Sequence, residues 1–196
     1  ILSECKKIKP DGVISIASDI AMPTVNYIAK QLKLIGNSLE CASITTDKYE
    51  MRKRLSLNNI PCPRFILIKE LGDINLVEAN NLKYPLIVKP TDRSGSRGIT
   101  KVFSLSELAD ATERAMRESL SKMAIVEEFL NASTEISIEM ISWKGEHHFL
   151  ASTDKVTTGA PYFVEIEQHE PANLPQDVIA KITRLVKEAL IVLDIE

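Results

Sequence analysis

From residue 65 to about residue 170 the apolar residues of this chain come in short runs separated by tight polar connections, and this pattern limits the fold more than any other feature. Phe65-Ile-Leu-Ile68, Leu86-Ile-Val-Lys-Pro90, Thr100-Lys-Val-Phe103, Ala124-Ile-Val-Glu-Glu-Phe129 and Glu135-Ile-Ser-Ile-Glu-Met-Ile141 are too short for helices and rich in β-branched and aromatic residues, which predicts strands. Trp143-Lys-Gly145 predicts a turn, followed by a returning strand over residues 148–151 and a further strand over 162–166. Short helices are expected over 74–81 and from residue 104, where Ser104-Leu-Ser-Glu107 has capping-box spacing. That second helix sets Leu105, Leu108, Thr112, Ala115, Met116 and Leu120 on one stripe. A helix over 175–193, with proline at its first turn, closes the chain. Strand pairs with short connections make this region α+β.

Residues 1–46 read differently. A strand over 12–16, a helix over 21–32 and a brief apolar run over 34–36 have the rhythm of a parallel α/β sheet. Ser18-Asp19 would then lie where such sheets place ligand loops, although a plain helix cap accounts for it as well. Asp47-Lys48-Tyr49-Glu50 has capping-box spacing and opens a helix to residue 57, after which Asn58-Asn59-Ile60-Pro61-Cys62-Pro63 reads as a linker. The expected organisation is one domain over 1–46 and a second over 47–196, with a small lid subdomain about 64–130. Because the chain opens inside an amphipathic helix and closes on an apolar stretch, it is expected to be a fragment of a larger protein.

Composition narrows the chemistry. An apolar content of 44% supports a hydrophobic core, and 26% charged residues of interspersed sign with net charge −3 provide no basic face for nucleic acid. Cys5, Cys41 and Cys62 form no Cys-x-x-Cys pair, and His147, His148 and His169 lack metal-ligand spacing, so free thiols in a reducing compartment are expected. With no apolar run of membrane-spanning length and no signal-peptide pattern, the chain reads as soluble and cytoplasmic. Oligomeric state stays open, a homodimer included.

Three pieces carry chemistry. In Lys89-Pro-Thr-Asp-Arg-Ser-Gly-Ser-Arg-Gly-Ile99, Gly95 and Gly98 free the backbone to converge its N–H groups, while Ser94 and Ser96 add hydroxyls and Lys89, Arg93 and Arg97 add charge. This suits a polyphosphate, yet the loop joins two strands and so fits neither a Walker A loop nor a dinucleotide fingerprint; a polar hairpin loop is the alternative. In Val126-Glu-Glu-Phe-Leu130, a strand edge could offer backbone groups to adenine, and Glu135 beyond it could accept ribose hydroxyls; exposed strand-end glutamates are the plainer reading. Lys48 alone is a surface lysine by default.

Taken in order, Lys48, Lys89 with its glycine loop, the hinge Glu127-Glu-Phe-Leu130 and Glu135 resemble the ATP-grasp superfamily. Thr46-Asp-Lys-Tyr-Glu-Met-Arg52, Tyr84-Pro-Leu-Ile-Val-Lys-Pro90 and Gly159-Ala-Pro-Tyr-Phe-Val-Glu165 point to its carbamoyl-phosphate-synthase-like and L-amino-acid-ligase branches. The resemblance implies the C-terminal part of a Rossmann-like pre-ATP-grasp domain followed by an incomplete ATP-grasp fold. It implies ATP as a cofactor, with Lys48 and Lys89 on its phosphates and Gly95, Ser96, Arg97 and Gly98 as a mobile loop over them. Glu127 and Leu130 would meet adenine through the backbone, with Glu128 and Phe129 beside them, and Glu135 would hold the ribose. Arg97 and Lys155 are the catalytic candidates; Lys155 and Glu165 would face substrate, or else belong to a solvated hairpin with Glu167 and His169.

The implied activity is ligation of a small carboxylate to an amine through an acyl phosphate, in an enzyme whose Mg2+ ligands are expected beyond residue 196 and whose fragment alone is inactive. An ATP-grasp carboxylase, a purine-pathway enzyme and a non-catalytic nucleotide-binding regulatory module are the alternatives. Asp92 departs from the glycine-rich loops of the family, and either tethers Arg97 or caps a turn.

Overall fold

A computed structural model describes residues 1–16, 18–132 and 134–196. The first 46 residues contain α1 (Leu2–Ile8), a 3-10 turn at Asp19–Ala21, α2 (Met22–Leu32) and α3 (Leu39–Thr46). Ser38 caps α3 by accepting the Cys41 N–H at 2.9 Å. The strands expected over 12–16 and 34–36 do not form: among the described residues there is no ladder for them to join, and Ile14 and Ile16 stand 82% and 84% exposed. Apolar composition alone cannot make a strand whose backbone groups find no partner. In this structure residues 1–46 are thus a set of helices, while the chain as a whole is mixed α and β.

The helix expected from residue 47 is α4 (Lys48–Leu57), begun by Asp47, whose Oδ1 accepts the Glu50 N–H at 2.9 Å. Beyond it come β1 (Phe65–Ile68), α5 (Asn75–Ala79), β2 (Leu86–Pro90), β3 (Thr100–Val102), α6 (Leu105–Glu118) and β4 (Ala124–Glu128). The four strands form an antiparallel sheet in the order β1-β4-β2-β3. Side chains alternate across the pleat. Leu86 and Val88 of β2 and Ala124 and Val126 of β4 turn to one face and make a dry core with Leu108, Ala111 and Ala115 of α6. Ile87, Lys89 and Glu127 are left on the opposite face, with Ile87 directly across from Glu127. The expected capping box of α6 is not closed, because Glu107 accepts the Phe103 N–H at 2.9 Å while the Ser104 and Ser106 hydroxyls pair with each other.

A second antiparallel sheet contains β5 (Glu135–Trp143), β6 (Glu146–Thr157) and β7 (Glu165–His169) in sequence order. Strand β6 is much longer than expected because it pairs with β5 along that strand's whole length. Strand β7 begins three residues late, at a register shift between Val156 and Thr157. Finally α7 (Gln176–Val192) packs against β5, β6 and α4. Leu193 then joins Ile44 and Leu55 in a small core that draws on residues from both sides of position 46. Among the described residues no helix is long and apolar enough to cross a membrane.

Candidate functional site

The face of the first sheet opposite α6 and one end of the second sheet enclose a cleft of about 540 Å³. Ile87 and Lys89 of β2 form one wall; Glu135 of β5, Lys155 of β6 and Glu165 at the start of β7 form the other. Gly95 and Ser96 of the glycine loop, with Phe129 and Phe163, stand at its mouth. Seven of the residues singled out from the sequence thus share one cavity: Lys89, Gly95, Ser96, Phe129, Glu135, Lys155 and Glu165.

The charges on the two walls are organised differently. On the first, Glu127 is only 2% exposed, and its two oxygens are divided between Lys89 Nζ at 2.5 Å and Arg52 Nε at 2.8 Å. Burial pushes the Glu127 carboxyl up, but Lys89 and then Arg52 more than reverse this and hold it below its ordinary value. On the second, Lys155 lies 2.6 Å from Glu165 and 3.9 Å from Glu135. Its hydrogen bond to Glu165 raises its pKa against the opposing effect of burial.

The glycine loop has two anchors. Gly98 has φ +71°, and a Cβ there would meet Pro90 Cγ at 2.9 Å and Glu118 Cβ at 3.1 Å, so the loop's end is pressed between β2 and α6. Gly95 also has positive φ, at +66°, but open space around it. Ser96, itself left-handed at φ 56°, donates its hydroxyl to the Phe163 carbonyl at 2.7 Å. Asp92 does not tether Arg97. It accepts from the N–H groups of Leu120 and Ser121 at 3.0 and 2.7 Å and from Ser119 Oγ at 3.0 Å, capping the turn that follows α6. Burial raises its carboxyl and these bonds, led by Ser121, bring it below the ordinary value.

Not every candidate enters the cleft. Lys48 and Arg97 line a neighbouring cavity of about 590 Å³ together with Asp19, Asp47 and Asp92. Lys48 donates its ammonium to the Arg93 carbonyl, and burial first, then the charge of Lys89, lowers its pKa. Arg97 Nε donates to Ser94 O at 3.2 Å, within its own loop. The strand carrying Glu127 and Glu128 is not an edge, as expected from sequence, but lies between β1 and β2. Glu128 N–H goes to Arg64 O and Phe129 N–H to Pro85 O, each at 3.0 Å, so backbone free of the ladder begins only past Phe129. The Glu128 side chain turns away and accepts the Lys83 N–H at 3.0 Å. Glu167 and His169 pair with each other on β7.

Three contributors receive no individual role from the sequence. Arg52 sits in a basic run that reads as a helix face; Lys101 places its Nζ 3.6 Å over the Phe129 ring; and Phe163 packs its ring 6.2 Å from that of Phe129. For Arg52 the spacing from Lys48, one helical turn, was the available clue.

Two antiparallel sheets closing on a cleft, with a lysine on each wall and a glycine loop at the mouth, define an ATP-grasp arrangement. Residues 58–196 match the family described as D-ala D-ala ligase C-terminus, and the chain belongs to that family. It is 30% identical over 164 residues to D-alanine–D-alanine ligase of Ralstonia pickettii (strain 12J), covering 79% of this chain and 47% of that protein. It is 25% identical over 144 residues to the carbamoyl phosphate synthase large chain of Thermotoga petrophila, covering 72% of this chain and 13% of that one. The crystal structure of L-amino acid ligase from Bacillus licheniformis superposes with a TM-score of 0.82 at 25% identity, over 98% of this chain and 44% of that chain. The chain thus spans about half of the length of the D-alanine–D-alanine ligase and L-amino acid ligase.

Proposed function

We propose that the cleft between the two sheets binds ATP and that the chain is the ATP-holding part of a carboxylate–amine ligase. The observation that supports this most is the entry of Lys89 and Lys155 from opposite walls of one cleft that Gly95 and Ser96 also line. Polyphosphate oxygens need cations held in place before the ligand arrives, and the two lysines supply them. In this reading Lys89 neutralises the phosphates, with Lys48 in the adjoining cavity reaching them from the side, and the loop at Gly95 and Ser96 swings over them about the fixed Gly98, bringing Arg97 inward. Adenine meets the main chain past Phe129, at Leu130, against the Phe129 ring, and Glu135 accepts from the ribose hydroxyls. Lys155 stands by the transferring phosphoryl group.

The reaction is a two-step substitution. A carboxylate oxygen of the acceptor attacks the γ-phosphorus and ADP leaves; an amine then attacks the acyl carbon, phosphate leaves, and the amine proton passes to solvent. The partners are accordingly ATP, a small carboxylate and a small amine. Magnesium, which the family implies, would add neutralising charge on the phosphates when bound. Among the described residues no group of three or more His, Cys, Asp or Glu side chains is placed to hold a metal, so no residue here is assigned to it. Residues 1–46 we read as part of a preceding domain and 47–196 as the grasp itself, with 64–130 as its lid.

Titration calorimetry with Mg-ATP tests the cleft. Lys89→Ala is expected to weaken binding by about a hundredfold, the loss of a partly buried charge-assisted contact; unchanged affinity would sink the assignment. Ligation is read in the full-length protein as phosphate release that depends on adding a carboxylate, across a panel of amino acids and small acids. Binding without such release from any pair would favour a regulatory module instead.

A further inference from the structure

We propose that Arg52 is a positioning residue for the nucleotide cleft: by sharing the Glu127 carboxylate it leaves Lys89 with net positive charge to present to a phosphate. The inference rests on the ATP-binding reading of the cleft. It begins on α4, where Lys48 and Arg52 lie one helical turn apart and therefore point to the same side. Lys48 fixes the start of the helix to the end of β2, its N–H donating to Thr91 O at 2.8 Å and its ammonium to Arg93 O. Arg52, one turn on, reaches β4 and donates to Glu127 Oε1 at 2.8 Å. The remaining oxygen, Oε2, faces Lys89 Nζ at 2.5 Å.

The charge count decides what this arrangement can do. Glu127 is 2% exposed and Lys89 16%, so neither is screened by water as a surface pair would be. Glu127 and Lys89 alone would sum to zero, and the floor of the cleft would have no net charge to attract an anion. With Arg52 the three groups sum to +1. Arg52 does not itself line the cleft, so it cannot deliver its charge to a ligand by contact and must act through the carboxylate. Its guanidinium, unlike an ammonium, stays protonated under all conditions in which the protein is folded. The depressed carboxyl of Glu127 agrees with two cations holding it ionised.

The test is a double-mutant cycle read as Mg-ATP affinity by titration calorimetry, with thermal unfolding of each variant used to choose a temperature at which it is folded. Arg52→Met is expected to weaken binding about tenfold, the scale of one charge-assisted contact. Arg52→Lys is expected to recover most of that loss, and Arg52→Gln, which keeps a donor but no charge, to recover little; it also replaces the methionine variant if that one does not fold. In a Glu127→Gln background the carboxylate that Arg52 offsets is gone, so adding Arg52→Met should change affinity by less than about twofold. Equal losses in both backgrounds would overturn the inference, as would wild-type affinity in Arg52→Met. A wild-type chain that binds no Mg-ATP overturns the reading of the cleft, and this inference with it; tight wild-type binding with an indifferent Arg52 overturns this inference alone.

Discussion

The two walls of the cleft are both antiparallel sheets, yet they are built on different principles. In the first, Ile68, Leu86, Val88, Val102 and Val126 are fully buried against α6, and the sheet has a core of its own. In the second, the well-buried strand residues are His147, Ser152 and Thr153, while Ile141, Leu150 and Ile166 are 54%, 61% and 58% exposed. Backbone ladders, the packing of α7 and a few side-chain bonds, such as Ser142 to His147 at 2.8 Å and Lys155 to Glu165 at 2.6 Å, order it. In this chain one wall of the cleft is fixed by packing and the other is held more by polar pairing, and elements with few buried apolar contacts open at lower free-energy cost.

The comparison breaks most readily in the core of the first sheet. Leu86→Ala should cost about 2–5 kcal/mol, because the removed side chain leaves a cavity beneath α6, whereas Ile166→Ala on β7 should stay within about 0.5 kcal/mol. Chemical denaturation of the two variants checks this, and equal losses would remove the distinction between the walls. Gly98→Ala comes next. Its left-handed backbone alone disfavours a side chain by about 1–2 kcal/mol, and the contacts with Pro90 and Glu118 add to that. Gly95→Ala, with similar φ but open surroundings, should show only the backbone part, so the difference between the two midpoints measures how tightly the loop's end is pressed onto the first sheet.

Asp92→Asn should cost less than the loop change that disturbs packing, about 1 kcal/mol as for the loss of a helix-type cap. It carries a sign that can be checked. The Asp92 carboxyl is depressed in the folded state, so its stabilisation is complete above the ordinary carboxylate range and is lost as pH falls through the lower folded value. Wild type and Asp92→Asn should therefore differ most near neutrality and converge in acid. A constant difference across pH would mean that the bonds to Leu120 and Ser121 do not depend on the charge.

How much of this was legible from sequence followed the same division. Strands β1, β2 and β4 could be read as short β-branched apolar runs, the last buried on both faces at Ile125 and Val126, and helix α6 from the stripe that one buried face leaves at helical spacing, so each shows a clear pattern. The second sheet, with little buried face, writes a weaker one. Its strands were found, but β7 was placed three residues early because its start is set by a register shift on β6 rather than by its own side chains. The run over 12–16 had strand composition and no neighbour to pair with. At the site, Lys155 enters only through the family resemblance, while the loop with Lys89 stands out as charges among small residues. Arg52 does not, since its partner is 75 positions away and the basic run around it is what any exposed helix face looks like.

Gly98 has a consequence for anyone who wishes to alter the loop. Two backbone-pinned neighbours close that position to every side chain, while Gly95, three residues earlier, looks out on free space. A library that randomises or lengthens the segment should therefore tolerate insertions around position 95 and reject nearly all at 98. Diversity in such a loop has to accumulate on one side of a fixed post, and the survivors of a selection would map where the post stands.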